Sequence, residues 1–482
     1  MNHKMSKLIL FMALVAGLTG PVAGQEQAEP LVLDLQGAMD HAIAYNKSLE
    51  NARMEVDRSR ASVWESIARG LPQVDGAVDY MTYFNYEMEF SFGGGDLTFT
   101  DQQIQDAANT TLANFPGVTQ QDLYNHQAGN YMDGQLQSML PPATILMSDQ
   151  STAKLQFSQL IFSGQYIVGI QTAKLARIIS EHNLEFNELT IKESVINAYY
   201  LVLITEASLE ILEQNVENLE KTRNQTEVMF SSGMAEQTDV DQIRITVNQL
   251  VNSRNALQRN LELNYNMLRF QLGVEPHAEV ELTDSLEALF LGSEPELALA
   301  IPFSVENNVT YQIMKSQEEI KRKLMAMEKW NYAPTLAGFY NYNKKIMTTG
   351  FDMTPNHLAG LSVAVPIFSS GMRKARVDQA RIDYDMAQNN RSIMEDQLSL
   401  REKQFKYNLQ SSLENYHTQK ENVEVARRVY DSYSRKFGQG MASSLDLTQA
   451  NSNYLDAEGN YMKAIMEVMG AKLALDKLMN NL

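Results

Sequence analysis

The stretch "FSSGMA", Phe230–Ala235, returns as "FGQGMA", Phe437–Ala442. Counted back from Phe230 by fours and threes, Thr226, Arg223, Leu219, Val216, Leu212, Leu209, Thr205, Val202 and Ala198 form a mostly apolar heptad seam. The same steps back from Phe437 meet Tyr433, Tyr430, Ala426, Val423, Gln419, Tyr416, Ser412, Leu409 and Phe405. Beyond the first motif a second seam runs through Val240, Ile243, Val247, Leu250, Leu257, Leu261 and Leu268. Its equivalents after the second motif are Leu447, Ala450, Tyr454, Ala457, Ala464, Val468 and Leu475. Seams kept in register on both sides of one short motif indicate an internal duplication.

All prolines lie outside residues 143–275 and 367–482, the two stretches that read as helical hairpins. Each hairpin opens at a turn-like corner, "IFSG" (Ile161–Gly164) or "IFSSG" (Ile367–Gly371). At ~1.5 Å per residue the outgoing arm is on the order of 100 Å long. That length suits a tube crossing an aqueous gap better than the core of one domain. Gly233 and Gly440 fall where the outgoing helix must end, and glycine takes the left-handed C-terminal position without strain. Thr238 and Asp239, and Ser444 and Asp446, are candidate caps of the returning helices.

A different period occupies the segment before the first hairpin. Val78, Tyr80, Thr82, Phe84, Tyr86, Met88, Phe90 and Phe92 alternate with Asp79, Tyr83, Asn85, Glu87, Glu89 and Ser91, the pattern of a barrel strand in lipid. Leu155 and Phe157 against Lys154, Gln156 and Ser158 give a second strand. The second half repeats both: "APTLAGFYNYN" (Ala333–Asn343) matches "LPQVDGAVDYM" (Leu71–Met81), and "LSVAVPIFSSG" (Leu361–Gly371) matches the strand ending "IFSG". Four strands cannot close a spanning barrel, whose smallest single-chain forms have about eight. Copies of the chain must pool strands: two copies give eight, mostly filled by side chains, and three give twelve, enough for an aqueous lumen. A soluble sandwich is the competing reading of the same strands.

The 482-residue chain carries a net charge of −19 and no cysteine. The charge argues against a nucleic-acid partner, which needs basic patches, and the missing cysteine excludes a lipid-anchored amino terminus or a disulfide framework. Lys4 and Lys7, the apolar run "LILFMALVAGL" and the exit Val22–Gly24 predict a signal peptide at 1–24. Beyond it no continuous apolar run reaches 18 residues, so any membrane span is expected to be a β-barrel.

The ordered, duplicated set resembles the TolC-like outer-membrane efflux protein family over essentially the whole mature chain. The residues carrying the resemblance are "LDLQGAMDHAIAYNKSLE" (Leu33–Glu50), the "LPQ" and "APT" strand entries, the two strand-to-helix corners and the two F-x-x-G-M-A-x-x-x-D tips. It implies a mixed, mainly α fold: a homotrimer with a twelve-stranded outer-membrane β-barrel and a periplasmic α-helical barrel. The expected organisation is repeat 1 over 25–274, a linker and equatorial region over 275–303, and repeat 2 over 304–482. Repeat 1 would hold a helix, strands at about 73–92 and 153–162, a hairpin at 164–272 and an extracellular insertion at about 93–150. Repeat 2 would hold a helix, strands at about 334–343 and 358–368, and a hairpin at 371–479.

The resemblance also implies a role: the outer-membrane channel of a tripartite efflux or type I secretion system, seated in outer-membrane lipid. Gly233, Met234, Ala235, Gly440, Met441 and Ala442 would dock a periplasmic membrane-fusion adaptor, and through it an inner-membrane transporter of RND, ABC or MFS type. Asp446, with Asp239 as its first-repeat counterpart, would ring the periplasmic entrance, where like charges raise one another's protonation equilibria; a cap-only role for Asp446 is the alternative. The tyrosine and arginine that lock the entrance in some members are here Phe437 and Ala442, and a second ring aspartate is Gln449.

No enzymatic site stands out. The histidines (3, 41, 126, 182, 277, 357 and 417) show no helical i, i+4 pair, so no metal site and no cofactor are expected. The methionines read as core filling. A non-conducting coiled-coil scaffold and a free-standing porin remain the other functional readings.

Overall fold

The computed structural model describes residues 30–82, 84, 86–90, 109, 119, 121–122, 143–147, 149–347 and 355–482. The expected signal peptide and most of the expected extracellular insertion lie outside these residues, as do Tyr83 and Asn85. In chain order the elements are β1 (Leu31–Leu33), α1 (Leu35–Tyr45), α2 (Lys47–Ala68), β2 (Gln73–Met81), β3 (Tyr86–Phe90), β4 (Ala143–Met147) and β5 (Gln150–Phe162). Then come α3 (Gly164–Ser231), α4 (Gln237–Leu272), β6 (Val280–Leu282), α5 (Leu286–Gly292), α6 (Pro295–Ala298) and α7 (Val309–Trp330). The chain closes with β7 (Thr335–Met347), β8 (His357–Ala364), α8 (Met372–Gly438) and α9 (Ser444–Leu478). It divides into a helical unit, taking Val168–Glu328 and Met372–Leu482 with the residues up to Trp64, and a β unit of Glu65–Ile167 and Lys329–Gly371.

In the helical unit α3 and α8 run 68 and 67 residues. No residue of the heptad seams is exposed except the motif residue Phe230, and Leu219, Leu268, Leu409, Leu447 and Leu475 are fully buried. Each such leucine contributes about 2 kcal/mol by leaving water. The larger core gathers Ala38 and Ala42 of α1, Tyr199 and Val202 of α3, Leu268 and Leu272 of α4, Leu409 of α8 and Val468 of α9 around Leu286 and Phe290 of α5. The stretch between the repeats is thus part of the core. Within it β6 pairs in parallel with β1, Leu31 opposite Val280. The Tyr199 hydroxyl donates to Asp284 Oδ2 at 2.9 Å and lies 3.2 Å from the Leu33 carbonyl, while the Leu35 N–H donates to the same Asp284 oxygen at 2.7 Å. Burial first, then the Asp284 carboxylate, pushes the Tyr199 phenol well above its ordinary range. An 18-residue window of α3 has a mean hydropathy of 1.5, a composition that also suits a membrane span. Buried Val195, Ala198, Tyr199, Val202 and Leu203 account for apolar character in α3 through packing.

The β unit holds a four-stranded antiparallel sheet in the order β2-β5-β7-β8. Its strands differ in extent from those expected. Alternation in the sequence runs through to Phe92, but β2 stops at Met81, and Phe84 takes a φ of 52°, which no extended strand accommodates. The chain resumes as β3, which pairs with β4, a strand inside the stretch expected to be loop. β8 ends at Ala364 and not near 368, because its partner β7 begins opposite it at Thr335 and the ladder runs out. A side chain at Gly164, the glycine of the "IFSG" corner, would overlap the Trp330 ring, so that glycine serves close packing.

Candidate functional site: the amphipathic sheet and the hairpin tips

The ladder registers sort the sheet into two faces. One carries Val74, Val78 and Tyr80 of β2, Leu155, Phe157 and Phe162 of β5, Leu336, Tyr340 and Tyr342 of β7, and Leu361 and Val363 of β8. The other is mainly polar, with Gln73, Asp75 and Asp79, then Thr152, Lys154, Gln156 and Ser158, then Asn341, Asn343 and Ser362, although Leu160, Phe339 and Leu358 also lie on it. On it Lys154 Nζ and Asp79 Oδ2 form an ion pair of 2.5 Å. The apolar face is not covered: Val78 is 70% exposed and Leu361 71%. A contiguous apolar surface of this kind marks a partner or lipid. Among the described residues β2 and β8 are each paired on one side only, leaving both edges of the sheet open.

In the helical unit the two repeated motifs fold alike. The Gly233 N–H donates to Phe230 O at 2.9 Å and the Met234 N–H to Met229 O at 2.8 Å; the Gly440 N–H donates to Phe437 O at 2.9 Å and the Met441 N–H to Lys436 O at 2.8 Å. This doubled bond closes a helix through a left-handed residue, and the two glycines have φ of 75° and 70°. Met234 and Met441 are exposed beyond them. The helices restart one turn later. Ser443, and not Ser444, is the N-cap of α9: its Oγ accepts the Asp446 N–H at 3.1 Å while Asp446 Oδ2 accepts the Ser443 N–H at 3.1 Å. At α4 the N-cap is Glu236, whose N–H donates to Asp239 Oδ2 at 3.0 Å.

Asp239 does more than cap. The Ser444 hydroxyl donates to its Oδ1 at 2.6 Å, joining the two tips. That bond first, then the Glu236 backbone, holds the Asp239 carboxyl below its ordinary range. The Ser443 hydroxyl, then its backbone, does the same for Asp446. Within one protomer the direction is therefore opposite to the raised equilibria expected of a carboxylate ring. Asp446 and Gln449 are exposed, Gln449 bonding Asn453 at 3.0 Å. Phe437 is only 6% exposed and packs with Leu219, Ile243, Val247, Tyr430 and Leu447, whereas its repeat partner Phe230 is 43% exposed. Within one protomer Phe437 thus lies in the core of the tip. Sequence reasoning missed the Asp239–Ser444 link, which joins residues 205 apart and leaves no local signal. The Ser443-x-x-Asp446 capping pattern, by contrast, stood in the sequence.

The sequence signature of the outer membrane efflux protein family matches residues 146–274 and 326–481, more than half of the chain. The chain belongs to the outer membrane efflux protein family. Outer membrane protein TolC of Vibrio cholerae serotype O1 is 22% identical over 357 residues, covering 69% of this chain and 78% of that protein. Among solved structures, the outer membrane protein VceC of Vibrio cholerae is similar with a TM-score of 0.65 at 15% identity, over 92% of this chain and 95% of that one. The Campylobacter jejuni CmeC outer membrane channel gives a TM-score of 0.66 at 13% identity, over 93% of this chain and 85% of that one. These likenesses show the fold. As an outer membrane efflux protein the chain resides in the outer membrane and extends into the periplasm, in a family of channel proteins and not of enzymes.

Proposed function

We propose that the chain is the outer-membrane duct of a tripartite export assembly, acting as a homotrimer. Its three sheets close into one twelve-stranded barrel and its hairpins line a periplasmic helical tunnel. The observation that carries this reading is the four-stranded sheet, apolar on one face, polar on the other and open at both edges. Lipid would strand the amide groups of an open edge, so each edge needs a strand from another copy. Twelve strands leave the Asp75, Lys154 and Asn341 face to water and the Val78 and Leu361 face to lipid. Transport is passive, and an inner-membrane pump of RND, ABC or MFS type supplies the energy.

Gly233, Met234, Ala235, Gly440, Met441 and Ala442 form the adaptor-docking tips, where exposed flexible thioethers adapt to a partner helix hairpin. Asp446, backed by Asp239 and Gln449, rings the entrance. Three facing copies set mutual repulsion against the capping bonds that hold each Asp446 low. Phe437 and Ala442 provide no hydrogen-bonded lock. In planar bilayers the purified protein is expected to give discrete conductance steps with a cation preference that falls in Asp446→Ala. No current from a trimer of either form would overturn the duct in favour of a sealed scaffold.

A further inference from the structure

The two halves of the β unit repeat not only in sequence but in hydrogen-bond register. Pro72, Gly76 and Tyr80 align with Pro334, Gly338 and Tyr342, and Leu155, Ile161, Phe162 and Ser163 align with Leu361, Ile367, Phe368 and Ser369. Under this alignment the β2–β5 ladder maps residue for residue onto the β7–β8 ladder: Gln73 opposite Ser158 becomes Thr335 opposite Ala364, and Tyr80 opposite Ser151 becomes Tyr342 opposite His357. The contact joining the halves, β5 with β7, has its own register, with Leu155 opposite Tyr342, Phe157 opposite Tyr340 and Phe162 opposite Leu336 past a bulge. Its counterpart in the duplicated scheme, β8 with β2, is missing within the chain, because those two strands are the open edges.

We infer that the contact between copies repeats the β5–β7 register: Leu361 lies opposite Tyr80 of the partner subunit, Val363 opposite Val78 of the partner subunit and Phe368 opposite Val74 of the partner subunit. This rests on the trimeric duct proposed above and fixes the register of its seam. Three features support it. The mapping puts Leu361 and Val363 on the same face as Val78 and Tyr80, all largely exposed in the protomer. A slip of one residue would turn one strand's apolar set to the wet face. Pro366 aligns with Leu160, where the β5–β7 ladder shifts register, and a bulge is a place where a strand tolerates proline. Phe368, which lies beyond β8 and is strongly exposed, then gains the strand partner that Phe162 has, with the exposed Ile367 in the bulge as Ile161 is.

The chain has no cysteine, so paired substitutions report cleanly. Directly opposite residues of an antiparallel pair have Cα atoms about 4.5–5.5 Å apart, within disulfide reach, whereas diagonal neighbours lie at about 7–8 Å. Within one chain β2 and β8 are separated by two strands, about 14 Å, so a bond can form only between copies. Mild oxidation of Leu361→Cys/Tyr80→Cys, and independently of Val363→Cys/Val78→Cys, is expected to give covalent trimers. The yield should be at least about tenfold above that of the shifted pair Leu361→Cys/Val78→Cys. A reduced trimeric mass with cross-linking at the shifted pair, or at neither in-register pair, overturns the register while the duct stands. A monomeric mass for the unsubstituted protein overturns both.

Discussion

Val78→Lys is expected to abolish recovery of trimer from outer-membrane fractions, whereas Gln73→Lys, on the polar face of the same strand, is expected to leave it intact. Taken as a protomer, the protein predicts nothing of the kind: Val78 is 70% exposed and its replacement would cost little in water. In the barrel proposed above its side chain would face lipid, where a lysine costs up to about 2–4 kcal/mol per copy. Three copies would share the proposed barrel, so the cost would be met three times. The measurement is light scattering of the detergent-extracted membrane fraction beside total expression. Equal trimer yields from both variants would contradict the assignment of the apolar face to lipid.

The second large effect is expected in the helical unit. Tyr199→Ala should destabilise it by about 3–5 kcal/mol, because Tyr199 is fully buried and the cavity sits where α1, α3, α4 and the inter-repeat stretch converge. Tyr199→Phe keeps the ring and removes only the hydroxyl with its contacts to Asp284 and the Leu33 carbonyl, at a cost of about 1–2 kcal/mol. Asp284 then keeps the Leu35 N–H as donor. Denaturant unfolding followed by far-UV circular dichroism separates the two. A Phe variant as damaged as the Ala variant would show that the hydroxyl, and not the packing of the ring, holds this junction.

How much of this was legible depends on whether the cause was local. The hairpins were, because heptad seams and glycine tips express themselves within a few turns, and Leu219, Leu409 and Leu447 are buried where the seam puts them. The break at Phe84 was not. Neither glycine nor proline marks it, and alternation continues through it in the sequence. β4 stayed hidden because a five-residue, mostly apolar run beside two prolines looks like loop until its partner β3 is in place. β1 and β6, three residues each, are too short to display any period. Among the site residues, the glycine turns and the Asp446 cap followed from backbone needs that the sequence states. The inward turn of Phe437 and the Ser444–Asp239 bond did not, since both depend on which helices meet at the tip.

Each half of this chain supplies two strands of the four-stranded sheet and one long hairpin, and the proposed duct depends on sister chains completing the wall. The number of chains per particle in mild detergent, measured by light scattering with the detergent contribution removed, addresses that directly. Three chains per particle is the predicted result. A monodisperse monomer whose barrel is already closed would contradict it.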